Sequence, residues 1–192
     1  MTSVHRSIAK LEHGTVARMF WHGVTEYGDR VLMRQKEFGI WQAYSWKQVG
    51  DIVAEIAAGL VEIGLAPGDV VSVLANTCRE WVWTDLAGLT AAGVVNGIYP
   101  TDSAEQLQHL CSDSATRYLF VEDDEQLDKF LEVRDKLTEI RKVIVFDMEG
   151  LSKLNDPQVI GLDRLREIGR QRLAATPDLV QACLDQRRSK DL

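Results

Sequence analysis

One stretch constrains this chain more than any other: Ser45 to Thr101, which repeats a single grammar of capped helix, glycine stop and short apolar strand. Ser45–Gln48 reads S-x-x-Q, a capping box that opens a helix. Behind it Val49, Ile52, Val53, Ile56, Leu60 and Ile63 form an apolar stripe at helical spacing. Gly59 sits inside this helix, where glycine costs about 1 kcal/mol relative to alanine, so close approach of the helix to a sheet is expected there. Gly64 is placed to end the helix in the left-handed region, with Leu65 beyond it and Pro67 as the stop. Pro67-Gly68-Asp69 turns the chain into Val70–Ala75, apolar but for Ser72, as a strand buried on both faces should be. Thr77–Glu80 reads as a second capping box, T-x-x-E, for a helix that runs through Trp81, Val82, Leu86 and Leu89 and ends at Gly93. Val94–Tyr99 is a strand stopped by Pro100, and Ser103–Gln106 a third capping box.

The same grammar extends outwards. Thr15 caps a helix over Val16–Tyr27, and Val31–Lys36 and Trp41–Tyr44 read as strands around a turn at Phe38-Gly39. Downstream, the helix after Ser103 turns Leu107, Leu110 and Cys111 inward. Tyr118–Val121 is a strand, and Asp124 starts a helix with Leu127, Phe130, Leu131 and Leu137 on one face. Val143–Phe146 is the last strand expected. Strands alternating with helices of this length predict an α/β fold: a layered parallel β-sheet with helices on both faces. Residues 1–14 read as a loose N-terminus, 15–146 as the α/β subdomain, and 147–192 as a mostly helical tail with helices over Leu162–Arg172 and Pro177–Arg188.

Composition narrows the function classes. With 192 residues the chain suffices for one cored domain and is short for two. A net charge of −7 leaves no electrostatic footprint for nucleic acid, and no basic face for anionic lipid is expected. Three widely spaced cysteines, Cys78, Cys111 and Cys183, make neither a disulfide framework nor a C-x-x-C site and fit a reducing, cytoplasmic setting. The four histidines, His5, His13, His22 and His109, have no ligand spacing. No secretory signal and no transmembrane segment is legible, and the C-terminal S-K-D-L matches no sorting address.

Ligands of open parallel sheets bind beyond the carboxyl ends of the strands. Here these ends are Asn76-Thr77, Tyr99-Pro100-Thr101-Asp102, Glu122-Asp123-Asp124 and Asp147-Met148. Thr77 and Ser103 head capping boxes, so a capping role is preferred to ligand contact. The acidic run Glu122–Glu125 suits a helix N-terminus, where the macrodipole favours carboxylates, better than a cation site. Arg187, Arg188 and Lys190 suit a helix C-terminus, and Trp81 and Trp83 suit packing. No G-x-x-x-x-G-K-[ST] loop, G-x-G-x-x-G turn, G-x-S-x-G elbow or H-E-x-x-H motif occurs. The catalytic, cofactor-binding and metal-ligating assignments are therefore all none.

The blocks G-L-A-P-G-D-V-V-S-V-L-A-N (Gly64–Asn76), E-W (Glu80–Trp81), A-A-G-V-V-N-G-I-Y-P-T (Ala91–Thr101) and D-S-A-T-R-Y-L-F-V-E (Asp113–Glu122) together resemble the N-terminal part of the adenylate-forming acyl-CoA synthetases. Y-S-W-K-Q-V (Tyr44–Val49) is similar to the family's strand-to-helix start, and L-N-D-P-Q-V-I-G-L-D-R-L-R-E-I-G-R (Leu154–Arg170) to a segment of its long-chain fatty-acid branch. The resemblance implies the N-terminal subdomain of the adenylate-forming fold, incomplete in this chain. It implies, for the intact enzyme, attack of a fatty acid on ATP with Mg²⁺, then displacement of AMP by coenzyme A. The family's Ser/Thr/Gly-rich phosphate loop is expected just after Leu192, and its adenine, metal and ribose sites and catalytic lysine later still. The chain is thus expected to be inactive alone, with no cofactor of its own. Alternatives are a non-enzymatic interaction module that self-associates or pairs with the missing remainder, half of a split synthetase, or an unrelated nucleotide-binding domain, which the missing Gly-rich turn disfavours.

Overall fold

The computed structural model describes residues 14–186. Arg187, Arg188 and Lys190, and the expected loose N-terminus up to residue 13, lie outside the described residues. The elements in order are α1 (Val16–Tyr27), β1 (Val31–Glu37), β2 (Ile40–Ser45), α2 (Trp46–Glu62), β3 (Val70–Leu74), α3 (Arg79–Thr90), β4 (Val94–Ile98), α4 (Ala104–Asp113), β5 (Thr116–Val121), α5 (Asp124–Val133), β6 (Lys142–Val145), β7 (Val159–Gly161), α6 (Leu162–Ala175) and α7 (Leu179–Gln186). β1 and β2 form an antiparallel hairpin, and the other five strands a parallel sheet in the order β4-β3-β5-β6-β7.

Alternation along the strands assigns the two faces. Val71, Val73, Tyr118, Phe120 and Ile144 point into a core closed by Phe20 of α1, Val49, Val53, Ile56 and Leu60 of α2, Trp83 and Ala87 of α3 and Leu165 of α6. Leu74, Leu119, Val121, Val143 and Val145 point the other way, against Leu107 and Cys111 of α4 and Leu127, Phe130 and Val133 of α5. The one polar residue of β3, Ser72, is buried and satisfied: its hydroxyl bonds Thr116 Oγ1 at 2.7 Å, and Asn96 Nδ2 donates to it at 3.3 Å.

The boxes at Ser45 and Ser103 form in full, side chain to backbone in both directions, and Thr15 caps α1 through the Arg18 N–H. Gly64 takes φ +100, and the Leu65 N–H closes back on the Leu60 carbonyl at 2.9 Å.

Three expectations are corrected. The box at Thr77–Glu80 does not form: Cys78 is the extended N-cap, without a side-chain cap bond. Glu80 cannot reach back because its carboxylate holds Arg79 Nε at 2.6 Å. The buried face of α3 is Trp83, Thr84, Ala87 and Gly88, with Trp81 and Leu86 half-buried against the same core. Small residues win there because α3 lies so close that a Cβ on Gly88 would meet Val95 Cγ2 at 2.6 Å. Gly59 serves a helix-on-helix approach, since a Cβ there would strike the Leu165 carbonyl of α6. Finally, a strand does follow Phe146. β7 pairs with β6 through Val143–Val159, Ile144–Ile160 and Val145–Gly161. Three residues are too few to show a period, so β7 left no pattern to read.

Candidate functional site

The switch point of the sheet lies between β3 and β5. The chain leaves β3 for α3 on one face and leaves β5 for α5 on the other, which parts the loops and opens a crevice above the strand ends. A polar hollow of about 410 Å³ occupies it, lined by Gln35, Cys78, Arg79, Glu80, Glu122, Asp123, Phe146 and Asp147. Three of the strand-end segments singled out in the sequence therefore meet. Glu122, just beyond β5, bridges to the loop after β3 by accepting the backbone N–H and the side-chain amide of Asn76 at 2.7 and 2.8 Å. Asp123 caps α5 through the Gln126 N–H at 3.1 Å, and Asp147 Oδ1 accepts the Glu149 N–H at 2.9 Å.

The hairpin supplies the rest. Gln35 Oε1 accepts the Arg79 N–H at 2.7 Å, so a residue 44 positions away does the work of the missing α3 cap. The Arg79 guanidinium donates to Tyr44 Oη, pairs with Glu37 and Glu80, and lies 5.5 Å from the centroids of both the Tyr44 and Trp83 rings. Burial works against its charged form; the hydrogen bond and charge of Glu80, with Tyr44 and Glu37, outweigh it and leave the pKa above its ordinary value. Burial also pushes the Cys78 thiol up to about 11, Glu80 adding to the effect against a backbone hydrogen bond from Trp81, so Cys78 is a neutral thiol at pH 7.

Chemically the crevice sets four carboxylates against one guanidinium that is already paired. Every one of the four is engaged by a protein donor. Such a lining repels polyphosphate and leaves no unpaired cation among its residues to hold it. Gln35, Cys78, Arg79 and Glu80 were not foreseen as site residues. One signal was available: an arginine in the first turn of a helix, where the macrodipole disfavours a cation, marks a local acidic partner.

The remaining strand-end residues lie apart. Tyr99 and Asp102 border a shallower hollow of about 600 Å³ with Gly97, Gln106, His109 and Leu110, at the open edge of β4. Thr77 borders a third hollow with Trp81 and Tyr99. Met148 packs at Gly161, and Trp83 is buried edge-on to Tyr44 at 5.5 Å, a packing role. No helix among the described residues is long and apolar enough to cross a membrane.

Known proteins resolve the ancestry of this arrangement. The long-chain-fatty-acid–CoA ligase ACSBG1 of Homo sapiens is 27% identical over 157 residues, which is 82% of this chain and 21% of that protein. ACSBG2 of Xenopus laevis is 30% identical over 142 residues, covering 74% of this chain and 19% of that one. FadD15 of Mycobacterium bovis is 29% identical over 158 residues, 82% of this chain and 25% of its own. The chain thus spans about a fifth to a quarter of the length of these relatives. In structure it superposes on coronafacic acid ligase of Pectobacterium brasiliense with a TM-score of 0.70 at 16% identity, over 79% of this chain and 29% of the other. The A-PCP didomain of carboxylic acid reductase from Segniliparus rugosus matches equally well, TM-score 0.70 at 16% identity, over 84% of this chain and 27% of that one. The model of the AMP-binding enzyme family matches residues 20–186, nearly all of the described fold, and the chain belongs to that family.

Proposed function

We propose that the chain forms the N-terminal α/β layer of a long-chain fatty-acid–CoA ligase and serves it as scaffold rather than as reactive centre. The observation that carries this reading is the crevice at the switch point. Its four carboxylates are spent on caps, a strand-end bridge and Arg79, and its one guanidinium is already held. These residues do not fit a triphosphate. ATP, Mg²⁺, fatty acid and coenzyme A are substrates and cofactors of the complete ligase, which forms an acyl-adenylate and then the thioester. Adenylyl transfer needs donors and metal aimed at developing charge, and this chain is assigned none of them.

The test is fatty-acid-dependent ATP–pyrophosphate exchange, run on the chain alone and on the chain co-expressed with the remaining length of a relative. Exchange at the no-protein level for the chain alone, and restored exchange on co-expression, is the expected outcome. Exchange by the chain alone would overturn the scaffold reading. Failure of the co-expressed pair would favour an independent interaction module.

A further inference from the structure

The β1–β2 hairpin carries a residue that both backbone and solvent disfavour. Phe38 has φ +46 and its side chain is fully exposed, at 105%. With Gly39 at φ +83 it forms a two-residue turn between the paired Glu37 and Ile40. A turn with φ positive at both central residues calls for Asn-Gly, and a bulky residue there is an outlier. Ala92 and Ala115 also have positive φ, but they are small and follow the ends of α3 and α4, where a left-handed residue commonly stops a helix. Beside Phe38, Ile40 is 65% and Trp41 64% exposed.

The register arranges charge around this apolar tip. Lys36 pairs with Trp41 and Arg34 with Ala43. Residues directly opposite share a face and neighbours alternate, so Arg34, Lys36, Trp41 and Ala43 stand together on one face. The single acid of the hairpin, Glu37, is on the other face together with Ile40, its cross-strand partner, and is paired with Arg79, while Gln35 on that face accepts the Arg79 N–H. An acidic chain thus presents one local surface with two cations, a tryptophan and no carboxylate. Strand rise puts Lys36 about 7 Å and Arg34 about 14 Å behind Phe38.

We propose that this tip is a wedge for the surface of an anionic bilayer. Phe38 enters the headgroup–acyl boundary, Trp41 lies at the interface, and Lys36 and Arg34 meet the lipid phosphates. From the tip backwards this face carries Phe38, then Trp41 with Lys36 directly opposite, then Arg34: an apolar end backed by an amphipathic aromatic and cations, which matches the layering of a leaflet. Whole-chain charge conceals the surface because strand pairing, not composition, gathers it. The inference rests on the hairpin alone and stands apart from the ligase reading. With one short tip and two cations, binding is reversible and salt-sensitive.

The test is co-sedimentation of the 192-residue chain with vesicles of phosphatidylcholine and phosphatidylglycerol in equal parts, against phosphatidylcholine alone. The expected result is binding to the anionic vesicles only, weakened by raised salt. Phe38→Asn and the double reversal Arg34→Glu/Lys36→Glu each lower it about tenfold or more. Phe38→Asn suits the left-handed backbone, so its melting temperature should equal or exceed that of the parent, separating lost binding from lost folding. No binding by the parent, equal binding by Phe38→Asn, or equal binding to neutral vesicles overturns the proposal. So does a concentration-dependent dimer that Phe38→Asn abolishes, because the tip would then be covered by a second copy.

Discussion

A single carbon atom would part α2 from α6. A Cβ on Gly169 would collide with the Glu55 carbonyl, and one on Gly59 with the Leu165 carbonyl, so each helix offers its glycine to the other's backbone. The side chains then lock the crossing, with Arg166 Nε and Arg170 Nη1 both reaching Glu55 Oε2, at 2.8 and 3.2 Å. Gly169→Ala should cost about 2–3 kcal/mol by overpacking, read as a lowered urea midpoint. On the opposite face of the sheet, burial pushes the Cys111 thiol up to about 11, against a hydrogen bond with Thr116 that works the other way. An unfolded thiol ionises near 9, so the contribution of this buried thiol to stability is full below that pH and is lost as pH rises through 11. Urea midpoints measured from pH 8 to 11 should fall, and fall less steeply in Cys111→Ala.

At the scale of elements, helix starts divide into those made locally and those made from afar. Ser103→Ala should cost about 1 kcal/mol because its hydroxyl accepts the Gln106 N–H. Thr77→Ala should change stability by less than about 0.5 kcal/mol, since Thr77 is exposed and is not the N-cap of α3. Gln35→Ala should destabilise α3 from the hairpin side. Urea unfolding of the three variants gives the order directly. The same division explains what the sequence disclosed. Capping boxes, apolar stripes and glycine stops span four to seven residues, so α1, α2, α4 and α5 could be read from neighbours alone, as could the run of strands from β3 to β6. The face of α3 could not, because Gly88 and Ala87 are inward on account of Val95 and the α2 helix, not of any local period. Strand-end residues Asn76, Glu122 and Asp147 were legible as loop polar groups. Their neighbours Gln35 and Arg79 were not, because the hairpin arrives from 44 residues away. β7 is held in part from outside: Arg134 grips Asp156 with both terminal nitrogens, and Asp156 in turn accepts the Gln158 N–H at 2.8 Å. That arginine holds the Asp156 carboxyl below the usual carboxylate range. Arg134→Met should therefore speed hydrogen exchange of the amides of residues 158–161 while leaving β5 protected.

For the whole molecule, the two sheet faces are unequally covered. Four helices, α1, α2, α3 and α6, close one core, and two, α4 and α5, close the other. Leu162 and Leu165 belong to the first core although they lie beyond the last strand that local pattern reveals. A chain ending at residue 146 should consequently bind a hydrophobic dye and lose its sharp unfolding transition, whereas the 192-residue chain should unfold in one step. The α2–α6 crossing also sets a timetable for synthesis. Glu55 and Arg166 are 111 residues apart, so at about 5–20 residues per second the face of α2 waits roughly 5–20 s for its cover to emerge. For that interval the nascent chain displays a glycine-notched, apolar helix side, and it is there, rather than at any finished surface, that a ribosome-bound chaperone would find this protein.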